Sequence, residues 1–467
     1  MKKYFLAVAS FFIYSHISLG QVYPGQMDST FVPVRSHHYD PELTFDFCVN
    51  EPAWSNQAGI HSAFGSTDRL YFRKEVPVNH DNDLSSSYST TVWRGERANA
   101  QILVWSSEAL EQVRVSTQDL RSAEGNIIPK DRITFELVRY VLSNYPYAEK
   151  KAICGESPYK SGFLMPDRFE TLDRFDLPSQ TTRPVWMMVD VPRGTAPGTY
   201  KGKVEVRAKG KAPQLLNLEI VVQNQLLPYP KDWKYRLDLW QNPWAVAWYN
   251  HVEPWSPEHK MLLKQHLKHY ADAGGTYITT YGVHSPWSDN SYMIEGGMIE
   301  WIKKADGTWA FDYKIFDEYV ELAMECGIDE AITLYTPIPW GFRHRYKDEA
   351  TGDYSYINWA PSSEEFKKMW NIFLTDFKFH LEAKSWLDIT YIGINENPME
   401  ETLAAINVVR NHDKCWKITY AGNWHKELDG LLDDYSFLYG EEPTIAEQKV
   451  RAATGRTSTV YVCSVSY

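Results

Sequence analysis

The sequence predicts a multidomain β and α/β chain, in which an N-terminal β-sandwich is followed by a (β/α)8 TIM-like barrel. Three observations lead to this prediction. Over residues 22–225, apolar residues alternate with polar ones in short runs that are interrupted by Gly and Pro. Beyond Tyr235, helical periodicity alternates with short apolar runs. The proline-bearing stretch 226–230 separates the two patterns, which places the sandwich at residues 21–228 and the barrel at residues 229–467.

The first 20 residues have the layout of a secretory signal peptide. Lys2 and Lys3 precede a mostly apolar run at residues 4–13, and small residues follow at 18–20. We therefore expect residues 1–20 to be removed and the protein to be secreted or periplasmic. No other stretch is long and apolar enough to predict a membrane span.

Strands in the N-terminal domain are predicted at residues 101–105, 113–115, 185–191, 200–206 and 216–222. The last of these shows the pattern best, because Leu216, Leu218, Ile220 and Val222 all fall on one face. Short period-two runs closed by Gly and Pro are typical of a β-sandwich.

Helices in the second domain are predicted from caps and spacing. Ser256-Pro257 and Ser363 provide N-terminal caps, and Gly274-Gly275 ends the first helix. Predicted strands lie at residues 236–240, 277–281, 331–335, 390–394, 417–421, 435–438 and 459–463. A closed barrel needs one strand more than these seven, so we expect the chain to end before its last unit.

Composition excludes some classes of function. The formal charge is −12 and basic runs are absent, which argues against nucleic acid as a partner. Five scattered cysteines (Cys48, Cys154, Cys326, Cys415, Cys463) predict neither a disulfide framework nor a metal site. The 18 Trp and 30 Tyr suit either a large core or the binding of sugar rings, because aromatic faces stack on apolar sugar faces.

Polar and aromatic residues follow the predicted barrel strands, at the ends where barrel enzymes carry their active sites. We predict that the following side chains bind substrate: Asp238, Trp240, Tyr281, His284, Trp287, Tyr335, Trp340, Asn423, Trp424 and Tyr439. His284, His344 and His425 lack metal-ligand spacing, so we predict neither a metal nor another cofactor. Glu441 and Glu442 are either a second catalytic carboxylate or solvated loop residues.

Glu396 is the predicted catalytic acid. It follows the apolar residues Ile392 and Ile394 and precedes Pro398, at the end of a strand. We expect it to be half-buried among aromatics, where desolvation favours the protonated form of a carboxylic acid. The alternative is a first-turn carboxylate of the helix that begins near Met399.

Several segments resemble glycoside hydrolase family 123. In the barrel these are residues 237–244, residues 303–309 and the strand end at residues 395–400; in the sandwich they are residues 93–97 and 192–202. The resemblance implies a β-N-acetylgalactosaminidase without a metal, acting by a substrate-assisted retaining mechanism. It assigns the general acid/base to Glu396. The residue before it, Asn395, matches the Asp that orients the acetamido group in the family.

Asn395 departs from that pattern. Asn can accept the acetamido N–H but carries no negative charge, and such stabilisation is often worth roughly 2–4 kcal/mol in a desolvated site. The leading hypothesis is a retaining exo-hexosaminidase of the family 123 type. A weakened enzyme, an engineered change and a relative acting on another sugar remain open as explanations of Asn395. Two alternatives remain: a two-carboxylate retaining glycosidase using Glu396 and Glu441, and a sugar-binding relative with impaired catalysis.

Overall fold

The computed structural model describes residues 51–77, 84–143, 163–287 and 296–461. These residues divide into two compact units, and the division falls between Pro228 and Tyr229. The predicted signal peptide at residues 1–20 lies outside the described residues, as do Cys48, Cys154 and Cys463. Of the other two cysteines, Cys326 is buried and Cys415 is exposed, and both are free.

The first unit is mostly β. Its strands are β1 His61–Gly65, β2 Ser87–Arg94, β3 Arg97–Ser106, β4 Leu110–Thr117, β5 Leu120–Arg121, β6 Ile127–Ile128, β7 Ile133–Ser143, β8 Phe163–Thr171, β9 Phe175–Leu177, β10 Thr181–Asp190, β11 Gly198–Arg207 and β12 Gln214–Leu226. One sheet has the order β1-β3-β10-β7-β8. The other has the order β2-β12-β11-β4-β9, and in addition β5 pairs with β11 and β6 pairs with β5.

Period-two patterning explains how these strands bury their apolar side chains. In β12, Leu216, Leu218, Ile220 and Val222 are all buried, as their spacing predicts. They share one hydrophobic cluster with residues of the other sheet, including Ile102 and Val189. The prediction of a β-rich N-terminal region is confirmed.

The second unit is α/β. Its helices are α1 Pro243–Tyr249, α2 Pro257–Asp272, α3 Lys314–Glu325, α4 Glu364–Lys384, α5 Met399–His412, α6 Lys426–Asp429 and α7 Ile445–Ala453. Its strands are β13 Tyr277–Tyr281, β14 Glu300–Lys303, β15 Trp309–Asp312, β16 Ala331–Tyr335, β17 Arg343–Asp348, β18 Tyr354–Asn358, β19 Thr390–Ile394, β20 Lys417–Gly422, β21 Asp434–Leu438 and β22 Thr457–Tyr461.

Six of these strands form a parallel sheet of the half-barrel type, in the order β13-β16-β19-β20-β21-β22. Every predicted strand from residue 277 onward is found in it. The predicted strand at residues 236–240 is wrong: only Leu237 pairs, through one parallel bridge to Gly275. The prediction of an α/β region with a parallel sheet is confirmed.

Local signals in the sequence set the helix boundaries. The Ser256 hydroxyl accepts the amide N–H of His259 at the start of α2, with Pro257 as the first helical residue. The Ser363 hydroxyl does the same for the amide of Phe366 at the start of α4. Gly274, at φ +91°, ends α2 in a conformation that costs glycine little.

Two hairpins add a second, four-stranded sheet of order β15-β14-β17-β18, which the sequence did not predict. The hairpin β14–β15 follows β13, and β17–β18 follows β16, so both are inserted at the carboxyl ends of neighbouring parallel strands. Among the helices of the described ranges, none combines the length and apolar character needed to cross a membrane.

Candidate active site

Three loops at the carboxyl ends of β13, β16 and β19 meet at the carbonyl oxygen of Pro286. This oxygen accepts the backbone N–H of Trp340 at 2.8 Å and a side-chain N–H of Asn395, from Nδ2, at 3.3 Å. Nδ2 of Asn397 donates to the carbonyl oxygen of Ile338 at 3.1 Å, which ties the segment after β19 to the loop after β16 as well.

The side chain of Asn395 leaves one polar atom without a partner. The residue is 3% exposed, and its Oδ1 is buried and accepts no hydrogen bond from the described residues. The amide orientation follows from chemistry, because the carbonyl of Pro286 can only accept and therefore faces Nδ2. An unmet buried acceptor is costly, so Oδ1 is set up to receive an N–H donor from a ligand.

Glu396 lies beside it in the loop and is exposed. The expectation of a half-buried Glu396 is wrong, because the chain leaves the sheet after Ile394 and packs Asn395, not Glu396, against the neighbouring loop. Oε1 of Glu396 accepts a hydrogen bond of 2.6 Å from the hydroxyl of Tyr461, the last residue of β22. The sequence predicted a strand at residues 459–463, but it did not reveal that Tyr461 is a hydrogen-bond partner of Glu396.

Tyr420, near the end of β20, is a second residue that sequence reasoning missed. Its side chain is buried, and both burial and the charge of Glu396 raise its pKa to about 12. A Cβ on Gly422 would lie 2.5 Å from the Tyr420 hydroxyl, so the glycine makes room for it. The phenol therefore stays protonated and can donate a hydrogen bond. Tyr420 is paired with Ile394 of β19, two residues before Glu396.

An aromatic cluster borders the Pro286 loop. Trp240 stacks on Trp287 with ring centroids 5.4 Å apart and lies 4.9 Å from the ring of Tyr335. Trp287 also meets Tyr281 edge-on at 5.6 Å. Trp240 is 45% exposed, whereas the other three are buried. Four of the predicted substrate-binding residues are thus brought together, and Trp240 supplies the accessible ring.

Asp238 lies two residues before Trp240. Burial raises the pKa of Asp238 to about 7, and the charge of Asp434 adds to the shift. More than a third of its surface is nevertheless open to solvent. A raised pKa and an exposed surface are compatible when a side chain lies in a concave part of the surface, because protein atoms surround the group while water still reaches it. Asp434 itself is 5% exposed, and burial raises its pKa to about 6.

The other predicted residues are distributed around the same strand ends. His284 is half-buried, and burial lowers its pKa to about 4, with further contributions from the charges of Arg345 and Arg343. Trp424 packs between Tyr435 and Phe437, with ring centroids 5.5 and 5.6 Å away. Exposed side chains follow β20 and β21 at Asn423 and Tyr439.

His344 is a core residue. It is 2% exposed, and burial lowers its pKa to about 4. Nε1 of Trp370 donates to its Nε2 at 3.3 Å, so the ring proton sits on Nδ1 and is donated to the carbonyl oxygen of Phe342 at 3.2 Å. Packing within the aromatic core therefore accounts for a histidine at this position, and no bound ligand is needed to explain it.

The remaining candidates show no common geometry. The backbone N–H of His425 donates to the hydroxyl of Tyr435 at 2.9 Å, close to the start of α6. Glu441 is exposed in the loop after β21, and Glu442 accepts the backbone N–H of Gly440 at 3.0 Å. In the part of the chain that the structure describes, no group of three or more His, Cys, Asp or Glu is arranged to hold a metal ion.

Comparison with known proteins gives a family for both units. The model of the glycoside hydrolase 123 catalytic domain matches residues 240–467, and that of the glycoside hydrolase 123 N-terminal domain matches residues 64–208. No curated protein matches the chain. The solved structure of a family 123 glycoside hydrolase from Clostridium perfringens, described for glycolipid glycan hydrolysis, is 25% identical, with a TM-score of 0.77. The match covers 87% of this chain and 72% of that one.

Two other solved structures show what a weaker likeness looks like. A PapD-like domain of human CEP192 is 12% identical over 40% of this chain and 99% of its own, with a TM-score of 0.17. A Bacteroides ovatus GH5 xyloglucanase is 9% identical over 81% of this chain and 63% of its own, with a TM-score of 0.16. Such low scores carry no structural information about this chain.

Proposed function

This chain belongs to glycoside hydrolase family 123, and we propose that it removes terminal β-linked N-acetylhexosamine, with N-acetylgalactosamine as the expected sugar. The observation that supports this proposal is the buried, unpartnered Oδ1 of Asn395, one residue before the carboxylate of Glu396. A 2-acetamido group supplies the N–H that this oxygen lacks. Sugars with a 2-hydroxyl lack an N–H donor, although their hydroxyl can also donate.

The proposed reaction uses the substrate as its own nucleophile. With its N–H held by Asn395, the acetamido carbonyl oxygen attacks the anomeric carbon while the bond to the leaving oxygen breaks. Glu396 gives its proton to that oxygen, and a cyclic oxazoline-type intermediate forms. Glu396 then takes a proton from water, whose oxygen attacks the anomeric carbon from the face the leaving group vacated. The anomeric configuration is therefore retained.

Tyr420 has a place in this scheme. Tyr420 lies opposite Ile394 in the parallel pairing of β19 and β20, and Ile394 is two residues before Glu396 in the sequence. A protonated phenol there can donate to the acetamido carbonyl oxygen while Asn395 accepts the N–H. Held from both ends, the amide is oriented for attack.

A second candidate is a sugar-binding relative with weakened catalysis, and Asn395 is the observation that favours it. The developing oxazoline carries positive charge, and a neutral amide stabilises that charge less than a carboxylate does. The loss expected from such a change is about 10²–10³ in rate. Both candidates use the same pocket and differ in turnover.

The test of the acid compares leaving groups in wild type and Glu396→Gln. A dinitrophenyl β-N-acetylgalactosaminide departs without protonation, whereas a disaccharide needs the acid. We expect the variant to lose about 10²–10⁴ in kcat on the disaccharide and far less on the dinitrophenyl glycoside. Equal losses on both substrates would contradict the role of Glu396.

The test of substrate assistance compares sugars. The aryl β-N-acetylgalactosaminide should be hydrolysed and the aryl β-galactoside, which lacks the acetamido group, should not. A thiazoline analogue of the oxazoline should inhibit competitively, as analogues of high-energy intermediates do. Because the Clostridium perfringens relative is described for glycolipid glycan hydrolysis, we propose glycolipid glycans as the first natural substrates to test.

Two further proposals concern fold and export. We propose that the two N-terminal sheets form a β-sandwich and that the six-stranded sheet belongs to a (β/α)8 TIM-like barrel; the shared cluster of the first and the alternating helices of the second support this. We also propose secretion or periplasmic export directed by residues 1–20. N-terminal sequencing of the exported protein, with a mature start near Gln21, tests the second proposal.

A further inference from the structure

The four-stranded sheet β15-β14-β17-β18 carries two arginines on one of its faces. In the register of its hairpin, Arg345 lies opposite Tyr356 and Lys347 lies opposite Tyr354. Side chains alternate along a strand, so Arg343 and Arg345 share a face with both tyrosines. His344, between the arginines, points the other way and is buried against Trp301 and Trp359.

The tyrosine rings hold both guanidinium groups in place. The Cζ of Arg343 lies 3.7 Å from the centroid of Tyr356, and the Cζ of Arg345 lies 4.2 Å from that of Tyr354. The two rings remain 48% and 49% exposed. A guanidinium stacked on a ring uses its flat face and keeps its N–H donors available at the edge. The arrangement therefore presents two oriented sets of donors.

These donors are poorly satisfied within the protein. Among the described residues Arg343 has no carboxylate within ion-pair distance, and the ion pair of Arg345 with Glu300 is long, at 3.9 Å. The same carboxylate accepts the Tyr354 hydroxyl at 2.8 Å. Nε of Arg345 is buried without any hydrogen-bond partner. A buried cationic donor left unmet costs free energy, which a bound anion would recover.

This face is close to the candidate active site. Arg343 follows Trp340 by three residues, and the backbone N–H of Trp340 donates to the carbonyl oxygen of Pro286 at 2.8 Å. In addition, the charges of both arginines contribute to the lowered pKa of His284. His284 lies two residues before Pro286, whose carbonyl accepts the side chain of Asn395. The guanidinium groups thus lie near the pocket in which the terminal sugar is proposed to sit.

We propose that Arg343 and Arg345 form a subsite for a carboxylate or sulfate carried by the glycan, next to the terminal N-acetylhexosamine. This inference rests on the proposed function, because it names the class of glycan that the same pocket would take. Both anions present paired oxygens that fit the parallel N–H donors of a guanidinium. Tyr354 and Tyr356 orient the arginines, because each ring stacks against one guanidinium group.

The test measures binding by calorimetry to Glu396→Gln protein, so that hydrolysis does not interfere. Three N-acetylgalactosamine-terminated oligosaccharides are compared: a neutral one, its sialylated counterpart and its sulfated counterpart. At least one anionic ligand should bind about tenfold or more tightly than the neutral one, and added salt should reduce the difference. Which of the two binds tighter identifies the anion. Equal affinities, including no measurable binding of any ligand, overturn the proposal.

The variants locate the effect. Adding Arg343→Gln and Arg345→Gln should abolish the anion preference and leave the affinity for the neutral ligand unchanged, which also shows that the pocket is folded. Arg343→Lys with Arg345→Lys should keep part of the preference. Lys347→Gln, a matched loss of charge on the same strand face, should keep most of it. A preference that survives the double Gln variant overturns the proposal.

Failure of the proposed function remains distinguishable from failure of this subsite. Hydrolysis of the neutral aryl β-N-acetylgalactosaminide depends on Glu396 and does not involve an anion. If that glycoside is not cleaved but the anion preference follows the two arginines, the subsite stands and the enzymatic proposal fails. If it is cleaved and no preference exists, only the subsite fails.

Discussion

The hydroxyl of Tyr461 donates a 2.6 Å hydrogen bond to Oε1 of Glu396. Tyr461 is the last residue of β22, and Glu396 lies two residues beyond the end of β19. These two strands are separated by β20 and β21 in the parallel sheet. Glu396 is otherwise exposed, so this bond is the contact that restricts its rotamers. A general acid has to point at the leaving oxygen, and holding it there lowers the entropy cost of the reaction.

Replacing Tyr461 by Phe removes this bond and leaves the ring. We expect kcat on a disaccharide to fall about three- to tenfold, as the loss of one ordinary hydrogen bond predicts. The dinitrophenyl glycoside, which does not need the acid, is the control and should react at nearly the wild-type rate. A uniform loss on both substrates, or no loss on either, would show that Tyr461 does not position Glu396.

Trp240 should contribute to sugar binding rather than to chemistry. Its ring is 45% exposed and stacks on the buried Trp287, which fits a platform for a sugar face. Trp240→Ala should raise KM about tenfold with little change in kcat. Leu239→Ala, at a neighbouring side chain that is 55% exposed, is the matched control and should change KM by less than about twofold. Similar effects of the two variants would contradict the platform role.

Glu441 distinguishes the substrate-assisted mechanism from a two-carboxylate one. It is exposed in the loop after β21, so we expect Glu441→Ala to change kcat by less than about twofold, as surface substitutions usually do. The aryl β-N-acetylgalactosaminide assay checks this directly. Abolished turnover in this variant would instead favour a nucleophilic role for Glu441.

The buried Asp434 makes stability depend on pH. Burial raises its pKa from 3.8 to about 6, so folding favours its protonated form. That contribution is complete below about pH 4 and is lost as pH rises through about 6. The rise in pKa from 3.8 to about 6 corresponds to about 3 kcal/mol of folding stability that the wild type loses at high pH. Asn does not ionise, so Asp434→Asn should not show this loss. Relative to wild type, the variant should gain stability between pH 5 and pH 8.

Urea unfolding at those two pH values measures this difference. The variant has to be compared with the wild type, because His344 has the opposite effect on stability. Its pKa is lowered to about 4, so its contribution makes the fold more stable as pH rises. Asp388→Asn, at an exposed position, serves as the control and should leave the pH dependence unchanged. An identical pH dependence in wild type and Asp434→Asn would contradict the assigned shift.

Local pattern predicted much of the fold. The capping hydroxyls of Ser256 and Ser363 mark real helix starts, and the alternation from Leu216 to Val222 marks a real strand, because each signal acts over a few residues. The prediction failed at residues 236–240, where only Leu237 pairs. An apolar run does not reveal whether a neighbouring strand lies in register with it.

The site could be predicted only in part. The positions of Asn395 and Glu396 at a strand end were visible in the sequence, but their burial was not, since it depends on how the loop at Pro286 packs. Tyr461 reaches Glu396 from a strand more than sixty residues away in the sequence, and a strand prediction alone does not reveal such a contact. The hairpin arginines were missed because the tyrosines beside them come from the opposite strand of the hairpin, and the run Arg343-His344-Arg345 does not reveal this pairing.

Asn395→Asp is the most informative single change. The carboxylate would supply the negative charge that the neutral amide lacks, so kcat on the aryl β-N-acetylgalactosaminide should rise by about 10²-fold. Asp has no N–H for the carbonyl of Pro286, however, and can keep that bond only when protonated. The gain should therefore be small at pH 5 and increase toward pH 8. The folded state should lose about 1–3 kcal/mol at neutral pH.

Asn397→Asp is the matched control, because Nδ2 of Asn397 also donates to a backbone carbonyl, that of Ile338 at 3.1 Å. It should lose similar stability without any gain in rate, which separates the effect of charge at position 395 from a loosened loop. If Asn395→Asp shows no gain at any pH, the residue does not orient the acetamido group, and Oδ1 must be buried for another reason. If both variants gain equally, the gain comes from loop mobility and the substrate-assisted assignment fails.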